Sequence, residues 1–304
     1  MTSTNDSNGQ VRLAGAPDSW GVWFPDDPKQ PHWSRFLDEV KQAGYNATEL
    51  GPWGYLPTDP DALAPELQSR GLELAGVTVI QPLESESNWP AIEAEVRDAA
   101  TLGKRFGVDN LVLIESMFSW EGMGEQRSVP RLDDEGWATM IATIIRVGEW
   151  LKSDWGMQVA FHPHADSYVE TEAEIERLLD ATPADVVKLC LDTGHHAYGG
   201  GDPVAFYKRH ADRVSHIHLK DVDPAVLERA RKERMDFGEA VAADVMVEPG
   251  RGTINYDELR QAFRDAGYGG WAVVEQDMYP APLDKPLPIA VRTVRHLTGA
   301  GFQR

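Results

Sequence analysis

Between Val186 and Asp223, two apolar runs end in residues that bind metals or move protons. VVKLCL leads into Asp192, Thr193, Gly194, His195 and His196, and VSHIHL carries His216 and His218 ahead of Lys220 and Asp221. Carboxylates, imidazoles and an ammonium at this density suit metal ligation, proton transfer, or both. Comparable endings recur along the chain: Glu115 in NLVLIES, His162 and His164 in MQVAFHPH, Glu275 and Asp277 in GWAVVEQD. In HIH and HPH the two histidines are two residues apart, which on a strand puts both on one face, so one could ligate a metal while the other touches a substrate. Mixed nitrogen and oxygen ligands favour Mn, Co, Zn or Fe(II) over Ca, and the lack of thiolates speaks against a closed structural zinc site. An open centre holding Mn or Co is expected, with Zn or Fe as the other candidates. The Gly199-Gly200-Gly201 loop lacks the Lys and Ser/Thr of a phosphate-binding loop and reads as a turn.

These residues need elements that bring strand ends together. Val11 to Ala16 reads as a first strand, running into DSWGVWFPDDP, whose Trp20 and Trp23 could wall a pocket for a ring beside Asp18. Phe36, Leu37, Val40 and Ala43 have helical spacing and stop at Gly44. Strands NATELG (with Glu49 near its end), LELAGVTVI, NLVLIES, MQVAFHPH, VVKLCLDTGHH, VSHIHLKD and GWAVVEQD follow, separated by helical runs that include Trp89 to Phe106 and Asp134 to Ser153. A long excursion, Pro224 to Tyr256, precedes the last helix and strand. Eight alternating units predict a closed parallel (β/α)8 barrel, with its chemistry at the carboxyl ends of the strands. An open doubly wound sheet is the alternative, weakened by the absence of a dinucleotide fingerprint after the first strand.

Composition narrows the function classes. With 304 residues, 42% hydrophobic and 26% charged, the chain reads as a disordered leader over residues 1–10 and one barrel domain over residues 11–304. No apolar run is long enough to span a bilayer and the start lacks signal-peptide character, so a cytoplasmic protein is expected. The lone Cys190 sits in an apolar strand and reads as core packing. A formal charge of −20 disfavours nucleic acid and acidic membranes and suits a small neutral substrate. A homo-oligomer is the base-rate expectation.

At APDSWG, FHPHADSYVETEAEI, LDTGHHAYGGGDP, RVSHIHLKDV, VMVEPGRGTINY and GWAVVEQD, the chain resembles the xylose-isomerase-like TIM-barrel superfamily, and within it the inosose (2-keto-myo-inositol) dehydratases most. The likeness covers the whole barrel. LDTGH and HIHLKD identify only the superfamily, whereas HPH, HLKDV, PGRG and VVEQD in this order are more specific. The resemblance implies a divalent metal on Asp192, His218 and Glu275. A fourth superfamily ligand is usually a Glu ending strand five; that place holds His162, with Glu115 on the preceding strand as the other candidate. The DSWGVWFPDDP loop departs from the dehydratase pattern, which bears on the ring accepted.

The activity implied is a metal-dependent hydro-lyase: Lewis-acid activation of a cyclic polyol ketone, removal of the adjacent proton, and departure of the β-hydroxyl. Candidate acids and bases are His195, Glu115 and His164, with Lys220 stabilising oxyanion charge; candidate substrate contacts are Trp20, Trp23, His216, Asp221 and Arg251. Rival readings are a 3-keto-glycoside lyase or hydratase, a ketose epimerase or isomerase, an endonuclease disfavoured by charge, and a sugar-binding scaffold without chemistry.

Overall fold

The computed structural model describes residues 9–118 and 130–304. Its first seven strands are β1 (Val11–Gly15), β2 (Ala47–Glu49), β3 (Glu73–Gln81), β4 (Asn110–Glu115), β5 (Gln158–His162), β6 (Val187–Asp192) and β7 (Val214–Leu219). An excursion carrying β8 (Asp221–Val222) and β9 (Met246–Val247) separates these from β10 (Gly270–Val274). β1 to β7 pair in chain order and in parallel; β10 pairs with both β7 and β1 and closes the ring. The expected eight-stranded barrel is thus the architecture of the chain, as a single domain.

Local signals set the helices that wrap it. Helix Trp33–Ala43 buries Phe36, Leu37 and Val40, and ends at Gly44, whose φ of 105° is a left-handed cap. Helix Glu172–Ala181 begins with a reciprocal capping box between Thr171 and Glu174. The main core lies between helices and sheet, and the period of two decides what reaches it. Leu111 and Leu113 of β4 face that layer, while Val112 and Ile114 pack with Ala160 and Cys190 in a separate cluster inside the barrel. Cys190 is therefore buried core, as its apolar strand implied.

Several boundaries differ from the sequence reading. The sixth strand stops at Asp192 because its side chain caps a short helix, Thr193–Tyr198. The helix from Asp134 is α-helical to Trp150 and ends in a wider turn, Leu151–Trp155. The excursion folds into helices Pro224–Glu233 and Phe237–Ala242 and an antiparallel ribbon of β8 with β9. The expected leader falls mostly on residues 1–8, which lie outside the described residues, as does much of the loop after β4, residues 119–129. Among the described residues no helix is long and apolar enough to cross a membrane.

Candidate active site

Four elements contribute a compact donor cluster at the carboxyl-terminal end of the barrel. His162 ends β5, Asp192 ends β6, His218 lies on β7 and Glu275 follows β10, and one donor atom of each lies within 4.8 Å of the others. His218 Nδ1 is 2.9 Å from Glu275 Oε2 and 3.8 Å from Asp192 Oδ2; His162 Nε2 is 3.5 Å from Asp192 Oδ2. Asp192 Oδ1 accepts the N–H groups of Gly194 and His195, each at 2.8 Å, so Oδ2 alone faces the cluster. Among the described residues that oxygen and His218 Nδ1 are buried without a hydrogen-bond partner. Buried polar atoms are seldom left so, and a cation would satisfy them. Two imidazoles and two carboxylates are a donor set that fits a divalent transition metal.

Lys220 stands beside this cluster, its Nζ 2.6 Å from Asp277 Oδ2, 3.2 Å from Glu275 Oε2 and 3.3 Å from Asp192 Oδ2. Burial opposes its charge, yet Asp192, Asp277 and Glu275 together hold it protonated, well above the ordinary lysine range. Burial also opposes ionisation of Asp192, and Lys220 leads the neighbours that keep it anionic. At Asp18 the same ammonium, 3.9 Å from Oδ2, compensates too little. Burial, reinforced by the Glu275 charge, lifts its pKa well above the carboxylate range, and neither of its oxygens has a hydrogen-bond partner.

A cavity of about 130 Å³ opens over these groups. Its polar side includes Asp18, His162, His164, Lys220, Glu275 and Asp277; its apolar side includes Trp23, Phe24, Ile80, Ile114, Met117 and Phe237. Trp23 stacks on Tyr279 at 5.1 Å and lies parallel to Phe237 at 6.1 Å. His164 donates from Nδ1 to the Ala165 carbonyl at 2.7 Å, which makes Nε2 its basic atom. Burial, then the charges of His162 and Lys220, push its pKa down to about 3, so the ring is neutral at physiological pH.

His195 sits one layer back, its ring 3.9 Å from that of His164. Its Nδ1 accepts the Ala165 N–H at 3.2 Å, which puts the proton of the neutral ring on Nε2. That atom is 3.0 Å from Lys220 Nζ and 3.7 Å from Asp277 Oδ2. Two donors facing each other gain nothing directly, so Asp277 is the acceptor that both approach. His195 therefore reaches the cavity through Lys220 and Asp277.

Other residues singled out in the sequence stand elsewhere. Glu115 has the wrong parity: Ile114 points into the barrel, and the buried Glu115 carboxylate instead accepts the Leu83 N–H at 2.9 Å beneath the β3 loop. Trp20 is core, packed edge-on against Phe36 and donating to Glu39 Oε2 at 2.9 Å. Asp221 lies in the ribbon after β7, and its carboxylate accepts the N–H groups of Gly250, Gly252, Thr253 and Ile254. A Cβ on Gly252 would meet Asp221 Oδ1 at 2.2 Å, so PGRG is a loop wound around a buried carboxylate. Arg251 points out of that loop, 69% exposed, and pairs with Glu248. His216 faces the barrel interior, below the cavity, and bonds to Glu49.

Asp18 and Glu49 both line the cavity and received no role from the sequence. Both share the signal of the others, an acid at a strand's carboxyl end, but each stands isolated from other donors in its segment. Phe237 carried no such signal, since it arrives from an excursion distant in sequence.

A model of the xylose isomerase-like TIM-barrel family matches residues 37–298. The chain is similar to the inosose dehydratase of Geobacillus kaustophilus, 33% identical over 81% of this chain and 80% of that protein. It is also similar to the rhizopine catabolism protein MocC of Rhizobium meliloti, 36% identical over 80% and 74%. The fold matches the structure of the IolI protein with a bound zinc atom, at a TM-score of 0.69 with 17% identity, covering 97% and 100% of the two chains. The cluster at the strand ends, the barrel that presents it and these relatives converge: the chain belongs to the xylose isomerase-like TIM-barrel family, as an inosose dehydratase-like member.

Proposed function

We propose that this protein is a hydro-lyase that removes water from a cyclic polyol ketone, 2-keto-myo-inositol being the simplest. The observation that carries the reading is the meeting, in one cavity, of a four-residue donor cluster with the His164 imidazole, the Lys220 ammonium and the Asp18 carboxyl. The name of the Geobacillus relative supports the same chemistry. His162, Asp192, His218 and Glu275 would hold a divalent cation, Mn or Co by the donor chemistry, with Zn or Fe as the alternatives. When bound, such a cation supplies Lewis acidity toward a ketone oxygen.

The chain's own groups do the rest. His164 Nε2 takes the proton next to the carbonyl, because the ring lines the cavity and its other nitrogen is committed to Ala165. Lys220 keeps a fixed positive charge beside the site where negative charge develops. Asp18, whose burial favours the protonated form, gives a proton to the departing β-hydroxyl, so one C–H and one C–O bond break and one water leaves. Trp23 and Phe237 offer ring faces to the carbon skeleton.

A second reading, elimination from a 3-keto-glycoside, is favoured by the cavity mouth. Phe24, Ile80 and Met117 line it while 52%, 44% and 47% exposed. A fully hydroxylated inosose gains little from them, whereas an apolar aglycone would cover them. The acidic chain suits either neutral substrate and opposes nucleic acid.

The test is product analysis of purified protein, chelated and reloaded with Mn or Co, given 2-keto-myo-inositol and 3-keto-glucosides with methyl or aryl aglycones. Loss of water from the inosose, abolished by chelation, is expected. Faster turnover of an aryl keto-glucoside would favour the second reading, and an epimer as sole product would sink both.

A further inference from the structure

Beneath the donor cluster, Glu49 and His216, which the reaction above does not use, connect to the ligand His218. Glu49 ends β2 and is 1% exposed, and its carboxylate meets both histidines. Its Oε1 accepts the Nε2–H of His216 at 2.5 Å and the Nε2–H of His218 at 3.2 Å; its Oε2 is 3.4 Å from Thr78 Oγ1. The donor to Glu49 fixes the His218 tautomer and leaves the Nδ1 lone pair facing Asp192 and Glu275. The backbone is built to admit this carboxylate. The pairing of β2 with β3 shifts register between Thr48 and Glu49, and a Cβ on Gly76 would meet Glu49 Oε1 at 2.7 Å.

We infer that Glu49 and His216 are a positioning pair: Glu49 orients His218 as a metal ligand, and His216 holds Glu49 in place. This rests on the metal-centre reading above. Imidazole ligands ordinarily donate their second N–H to an acceptor that sets ring orientation and raises ligand basicity, and here that acceptor is a carboxylate. His216 lies two residues before His218 on the same strand face, so both rings reach one oxygen. A residue read from sequence as a substrate contact is thereby assigned to the support of a ligand.

The test is Co(II) binding to metal-free full-length protein, by competition with a chelator and by the Co(II) visible absorption band. Wild type is compared with Glu49→Gln, His216→Phe, His216→Gln and Asp192→Asn. Glu49→Gln and His216→Phe should raise the Co(II) Kd about 10–100-fold and alter the band. His216→Gln, whose amide N–H can still donate to Glu49, should stay within a few-fold of wild type, whereas a mere packing role would move both His216 variants alike. Wild-type affinity and spectrum in Glu49→Gln and His216→Phe, with weakened binding in Asp192→Asn, would overturn the positioning pair alone. Wild-type protein that binds no Co(II) would overturn the metal centre and the pair with it. If Glu49→Gln does not fold, His216→Phe against His216→Gln decides the matter.

Discussion

Replacing Glu115 with Gln should stabilise the protein at neutral pH and leave its chemistry intact. Glu115 is 1% exposed, accepts one backbone N–H from Leu83, and lies beside the Glu84 carboxylate. Burial pushes its pKa from the ordinary 4.5 to about 9. With the folded value raised, its contribution to stability is fully present below the unfolded pKa and is lost progressively as pH rises toward the folded one. Each pH unit in that window costs about 1.4 kcal/mol, so protonating the buried carboxyl at pH 7.5 costs roughly 4 kcal/mol. Glutamine needs no proton, keeps an acceptor for Leu83 and presents N–H donors toward Glu84. Glu115→Gln should therefore gain up to ~4 kcal/mol at pH 7.5, a rise in Tm of about 8 °C at the ~2 °C per kcal/mol expected for a large domain. The gain should shrink toward zero near pH 4.5. Thermal unfolding of both proteins from pH 5 to 9 measures this, and turnover of the keto-substrate measures chemistry. An unchanged Tm across that range would refute the burial argument, and a hundredfold loss of turnover would return Glu115 to the active site.

Other substitutions separate the cavity wall from the layers behind it. His164→Ala should keep its metal, by elemental analysis, and lose turnover by about 10²–10⁴, because it removes the neutral imidazole lining the cavity. His195→Ala should keep its metal and lose less, since His195 acts through Lys220 and Asp277; equal losses in the two variants would contradict that placement. Arg251→Ala should leave kcat/KM within about twofold of wild type and Tm nearly unchanged, because Arg251 is 69% exposed and the buried Glu248 keeps its pairing with Arg292.

The relation between sequence and structure is clearest along β4 to β7. Alternation at two-residue spacing places His162, Asp192, His218 and Lys220 on the inner face, and the apolar runs before them mark where each strand lies. Strand and helix periods are local properties, so the barrel and most of the donor cluster could be read without coordinates. The same alternation in β4 puts Ile114 inside and Glu115 outside, so an acidic residue at a strand end lies in the site only where its parity agrees.

By itself, then, the sequence determined the eight alternating units, the acidic character of the surface and the donor types gathered at the strand ends, because each follows from composition or short-range spacing. Tertiary structure decided which donors share a centre, because that depends on the register with which β10 closes against β1 and β7. It also decided that Asp221 holds a loop and that Glu49 meets two histidines 167 and 169 residues away. Long-range contacts of this kind also brought Phe237 to the cavity and set Trp20 in the core, since a buried aromatic's neighbours are chosen by packing, on which its own flanking residues are silent.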